Sequence, residues 1–141
     1  MKYTKILRNQ ERSIITSTLA GFIPDEIFDI HAHPYNPVHF ASDAWPFLND
    51  AGTLGCTEHR NALLGYMPTK TIHGLYFGMP HRTANRDEMN KWVREETQLN
   101  GTSLSRTLKV VSPIDNPAQT ANELRNGLFC GLKVYHIYAE R

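Results

Sequence analysis

Ile27-Phe28-Asp29-Ile30-His31-Ala32-His33-Pro34 is the stretch from which the rest of the chain can be read. An apolar pair leads into a short run that ends at a proline. Proline cannot extend a central ladder, so the histidines stand at the C-terminal end of a strand over 26–33. Side chains alternate along an extended strand, so unbroken pleating puts Asp29, His31 and His33 on one face and Ile30 and Ala32 on the other. Two imidazoles at that spacing lie roughly 6.5 Å apart at Cα, close enough for both rings to lean onto one cation. Neutral imidazole is the commonest metal ligand, and the C-terminal strand edge is where α/β folds gather their chemistry. The bare spacing is a weak signal. The apolar strand before it, the acid in phase with it and the turn-forming Pro34-Tyr35-Asn36 after it supply the context. The plain alternative is a surface strand end that carries two histidines.

Working outward, helix and strand alternate. Residues 4–20 read as a helix with Ile6, Leu7, Ile14, Ile15 and Leu19 as a loose apolar stripe, stopped by Gly21 and Pro24. A long loop from Pro34 to about Gly55 carries Tyr35, His39, Phe40, Trp45 and Phe47. A helix over 57–67 ends by Pro68, and a second strand over 71–79 closes at Pro80. Asn85 caps the next helix, Glu88 completes a capping box, and Met89, Trp92, Val93 and Leu99 form its buried face before Asn100-Gly101. A third strand over 108–112 ends at Pro113. Asn116 caps a helix with Pro117 at its first position and Gly127 beyond its end. A fourth strand spans 129–135.

Strands separated by amphipathic helices predict βαβ units and a parallel sheet in sequence order, with helices on one side. A complete (β/α)8 barrel needs roughly 250 residues. The 141 residues here supply about the first half of one. The expected fold class is therefore α/β: parallel (β/α) units of a TIM-type barrel, one partial barrel domain over 1–141, with 1–25 as an N-terminal helical extension.

Bulk composition narrows the function. A net charge of +1 with mixed acids and bases leaves no electrostatic footprint for nucleic acid. No apolar run approaches the ~20 residues of a membrane span, and Lys2, Lys5, Arg8, Glu11 and Arg12 leave no room for the apolar core of a signal peptide. Cys56 and Cys130 stand in no metal-type spacing and read as small buried hydrophobes, as expected of a reducing, cytoplasmic compartment.

On these residues the chain resembles the amidohydrolase superfamily of metal-dependent hydrolases, in particular the amidohydrolase-related group with Asp-x-His-x-His on the first barrel strand. The resemblance covers most of the chain from Ile27 to Tyr135. It rests on Asp29-Ile30-His31-Ala32-His33, with Gly74-Leu75-Tyr76-Phe77-Gly78-Met79-Pro80 and Gly131-Leu132-Lys133-Val134-Tyr135 as supporting segments of the second and fourth strands. It implies a divalent metal, zinc first among them, at the C-terminal mouth of the barrel, and a small-molecule substrate with a C–N, C–O or related bond. It also implies His31 and His33 as metal ligands. Lys133 falls where two-metal members carry a carboxylated lysine; the alternative for it is a barrel lysine paired to a carboxylate. The later strands, which in relatives bring two more histidines and an aspartate, are absent from this sequence. The expectation is thus an N-terminal half that needs a C-terminal half, is inactive alone and associates with that half or with itself. The alternatives are a non-catalytic α/β fragment of the same associating kind, a metal-dependent decarboxylase or a metal-independent lactonase on a related barrel.

Other residues carry open readings. Tyr35 and Trp45 line a pocket or lid with Phe40 and Phe47, or anchor their own loop. His39 contacts substrate or is a solvated loop histidine. His81, just past Pro80, lies on the rim that carries function in barrels. Asp29 orients a ligand imidazole or is a satisfied barrel-floor carboxylate. His59, on a helix, reads as solvent-facing, and His73 as structural at the opposite end of its strand.

Overall fold

A computed structural model describes residues 9–19, 21–42, 44 and 52–139. Trp45 and Phe47 of the long loop, and Ile6 and Leu7 of the first apolar stripe, lie outside the described residues. The four apolar runs become strands β1 (Glu26–Ala32), β2 (Thr71–Tyr76), β3 (Arg106–Val111) and β4 (Gly131–Val134). They form one parallel sheet in the order β1-β2-β3-β4, as the alternation of elements predicts. β2 ends at Tyr76, so Phe77-Gly78-Met79 continue as irregular chain at the C-terminal edge.

Among the described residues four α-helices accompany the strands: α1 (Asn9–Ile14), running on as a π-helical segment Ile15–Leu19, then α2 (Cys56–Leu64), α3 (Arg86–Asn100) and α4 (Pro117–Arg125). Their starts are chemically marked. The Asn85 side chain accepts from the Glu88 N–H, and the Asn116 side chain accepts from Ala118 and Gln119, removing donors that a first turn leaves unpaired. Gly127, at φ +69°, takes the left-handed conformation past α4 that glycine adopts without strain.

The core cluster gathers residues of the sheet and the helices and includes Phe77, just past β2. Tyr76, Phe77, Cys56, Met89, Val93 and Val110 are essentially sealed. β2 and β3 pair only at Leu75↔Arg106 and Tyr76↔Thr107. Beyond that point the buried Asn90 of α3 replaces the ladder: its amide donates to the Val110 carbonyl at 2.8 Å and its oxygen accepts the Val110 N–H at 2.9 Å. A helix side chain thus stands in for a strand, and the backbone polar groups stay satisfied where the strands part.

The sheet is curled. Strands three places apart in a flat sheet are separated by about 14 Å, yet the rings of His33, after β1, and Tyr135, after β4, are 6.4 Å apart. The side chains on the concave face therefore converge.

Two expectations change. Leu99 is 81% exposed because the buried stripe of α3 runs Met89, Val93, Thr97, and Leu99, two residues on from Thr97, points away from it. Ile14 and Leu19 are exposed, so the first stripe covers no core among the described residues. Leu132 and Val134 are exposed on β4, which has no outer neighbour among the described residues. No helix among the described residues is long and apolar enough to cross a membrane.

Candidate metal centre

β1 does not keep its pleat. Asp29 pairs with Gly74 and Ala32 with Tyr76, three steps against two, so a bulge lies between them. In a parallel ladder paired residues share a face. Asp29 and Ala32 therefore look to the helix side with Gly74 and Tyr76, while His31 and His33 look to the concave side with Phe77. This corrects the expectation that Asp29 shares a face with the histidines, since that reading assumes unbroken alternation.

On the concave side the two imidazoles meet. His31 Nε2 and His33 Nε2 are 3.1 Å apart, with ring centroids at 4.9 Å. Phe77, 1% exposed, forms the floor: its ring lies 5.0 Å from that of His31 and 4.7 Å from that of His33, both edge to face. Lys133 Nζ sits over the same ring at 4.7 Å from its centroid, and 5.2 Å from that of Tyr135. A cation over aromatic faces is favoured by their quadrupoles. Lys133 has no carboxylate partner among the described residues, which sets aside the paired-lysine alternative for them.

The electrostatics suit a ligand imidazole. Burial first, then the adjacent His31, lowers the pKa of His33; the Gly78 and Phe77 backbone works the other way, and Lys133 adds to the lowering. A lowered pKa keeps the ring neutral near pH 7, the form that ligates. His33 Nδ1 and the Tyr135 hydroxyl are buried without a hydrogen-bond partner. Burial also raises the Tyr135 phenol above its ordinary range.

Two nitrogens held at about 2.0–2.1 Å from one zinc at the tetrahedral angle stand about 3.3 Å apart. The 3.1 Å between the Nε2 atoms is close to that bite, so the pair fits two positions of such an ion. Among the described residues no set of three or more His, Cys, Asp and Glu side chains converges on a point. A third protein donor would be Lys133 in carboxylated form or a group from elsewhere.

The remaining candidates are dispersed. Tyr35 is buried in the core and pairs through its backbone with Leu54, closing the base of the long loop. Of its two readings the structure shows the anchor. His39 is buried rather than solvated: its ring lies 5.5 Å from that of Trp92, its carbonyl accepts the Asn85 N–H at 2.7 Å, and burial lowers its pKa despite the opposing charge of Glu88. His81 is half-buried, with Nδ1 2.9 Å from the Thr83 hydroxyl and its backbone N–H donating to the Tyr138 hydroxyl at 3.2 Å. Trp45 lies outside the described residues.

Sequence reading missed His59. It is half-buried on α2, with Nε2 2.9 Å from Asp29 Oδ2 and Nδ1 3.1 Å from the Tyr76 hydroxyl. The signal was its spacing: three residues after the sealed Cys56, it shares that residue's helix face. Burial pushes the Cys56 thiol up to about 11, so it behaves as the small hydrophobe expected. Comparison with family models, with curated proteins and with solved structures gives no match.

Proposed function

We propose that this chain is the first half of a (β/α)8 barrel of the amidohydrolase type, and that it contributes His31 and His33 to the centre of a metal-dependent hydrolase. The observation that carries this reading is the convergence of the two Nε2 atoms at 3.1 Å on the concave face, at the C-terminal edge of a curled parallel sheet. A bound divalent ion, zinc by preference, would supply Lewis acidity and a water of lowered pKa. The chain's own residues do the rest. His31 and His33 hold the ion, and Phe77 seals the floor beneath them. Lys133 lies beside the pair, as a cation that holds an anionic substrate group or, carboxylated, as an oxygen donor.

The absence of a third carboxylate or imidazole nearby and of a strand beyond β4, both among the described residues, favours a site completed by further (β/α) units. The non-catalytic alternative draws on the same edge: exposed Leu132 and Val134 beside unpaired backbone groups form a template for association.

Zinc content decides between them. Elemental analysis of the purified chain, or of any longer form that contains it, is expected to show stoichiometric zinc that is lost in a His31→Ala/His33→Ala variant. Equal zinc in both proteins would refute the site. Zinc absent from both would favour the non-catalytic reading.

A further inference from the structure

The bulge in β1 is what gives the histidines their direction. Had the ladder continued in register from Asp29↔Gly74, His31 would pair with Tyr76 and share its side of the sheet. A slip of one residue reverses every side chain beyond it. The observed pairing of Ala32 with Tyr76 places His31 and His33 on the concave side instead. A bulge also interrupts the ladder and leaves backbone groups in need of partners. One of them, the His31 N–H, donates to Asp29 Oδ1 at 2.9 Å.

That carboxylate is itself held. Its other oxygen, Oδ2, is 2.9 Å from His59 Nε2 on α2, and His59 Nδ1 is 3.1 Å from the hydroxyl of Tyr76. The side chains of His59 and Asp29 are 13% and 30% exposed, and Tyr76 is sealed. Tyr76 reaches His59 because Gly74 leaves room: a Cβ there would meet the tyrosine ring at 2.3 Å. Every oxygen and ring nitrogen of the chain Tyr76–His59–Asp29 is therefore engaged, and its last contact is the backbone of a candidate ligand.

We propose that Asp29, His59 and Tyr76 form a positioning latch that fixes the β1 bulge from the helix side and so aims His31 and His33 at a shared cation on the concave side. The inference rests on the metal reading above for its consequence, though not for its geometry. Asp29 acts through the main chain of His31 rather than through its ring. None of the three touches the cation. Supporting groups of this kind typically change metal affinity 10–100-fold when removed.

The test is cobalt(II) titration of the full chain, read by visible absorption, together with ring-to-ring nuclear Overhauser contacts between His31 and His33 in the metal-free protein. His59→Ala is expected to weaken cobalt binding about 10–100-fold, to alter the absorption envelope and to abolish the His31–His33 contact. His59→Gln, whose amide still donates to Asp29, is expected to recover most of both. Tyr76→Phe, which deletes one hydroxyl and keeps the packing, tests the latch without a risk to folding and should weaken binding less than His59→Ala. Wild-type affinity, spectrum and ring contact in both His59→Ala and Tyr76→Phe would overturn the latch. If the wild-type chain takes no cobalt yet loses the ring contact in His59→Ala, the latch stands and the metal reading falls.

Discussion

The two sides of β1 treat their polar groups in opposite ways. On the helix side Asp29 spends one oxygen on the His31 N–H and the other on His59, which also meets Tyr76. On the concave side His31 and His33 have each other and the edge of Phe77, the Phe77 and Gly78 backbone lies against the His33 ring, and His33 Nδ1 is buried outside hydrogen-bond reach of any described group. Two strand lysines repeat the contrast. Lys109 on β3 is buried and paired with Glu123 of α4, whereas Lys133 on β4 lies over the rings of Phe77 and Tyr135 and has no carboxylate partner among the described residues. Saturated polar groups maintain a fold, because a buried donor left unmade is expensive. Polar groups gathered on one face and left unsaturated are the ones free to meet a ligand. On the metal reading proposed above, the concave side would carry the chemistry and the helix side would hold it in place.

The largest effect that bears on this contrast comes from Phe77. Its ring is sealed beneath His31, His33 and Lys133. Phe77→Ala is expected to destabilise the chain by about 3–5 kcal/mol, the usual range for emptying a buried aromatic site. Urea unfolding followed by circular dichroism measures it. A loss below about 1 kcal/mol would mean that the concave side is not packed and that the convergence above it is incidental.

The lysines give the next largest effect and the sharper comparison. Lys109→Ala strands Glu123, whose side chain is 21% exposed and regains some hydration, so the expected loss is about 1–3 kcal/mol. Lys133→Met removes only cation–π contact, and the expected change is within about 1 kcal/mol. Parallel urea titrations read both. A Lys133 variant that loses as much stability as the Lys109 variant would make both lysines structural and remove the case for Lys133 as a site residue.

Much of the frame was legible. Pro34, Pro80 and Pro113 cannot continue a ladder, and each follows a strand of the sheet. Asn85 and Asn116 marked their helix starts because their side-chain oxygens satisfy first-turn donors. The pairing of His31 with His33 was legible too, since residues two apart stay on one face wherever both lie beyond the bulge. Asp29 was not. A bulge is decided by what can hold it, and here that is a histidine 30 residues later in the chain. Periodicity carries no record of such a contact. Tyr35 and His39 were equally opaque: the closure of their loop depends on Leu54 and Trp92, neither of which is near in sequence.

The smallest expected effect concerns His39, a buried imidazole on neither side of β1. It serves as a control for the contrast, because its nitrogen Nδ1 is also buried and unpartnered yet it lies in the loop, against Trp92. Burial lowers its folded-state pKa, as it does that of His33. The sign follows directly. Between the lowered value and the ordinary histidine value of about 6.5, the unfolded chain binds more protons than the folded one, so stability rises with pH across that window. The contribution is fully present above the ordinary value and is lost as pH falls toward the lowered one. The urea midpoint of the wild-type chain should therefore drop between pH 7.5 and 5.5, and His39→Gln should make that drop shallower while His33→Gln does so independently. An unchanged slope in His39→Gln would place that ring in water and return His39 to the solvated reading. An unchanged slope in His33→Gln would remove the electrostatic distinction between the concave side and the rest of the surface.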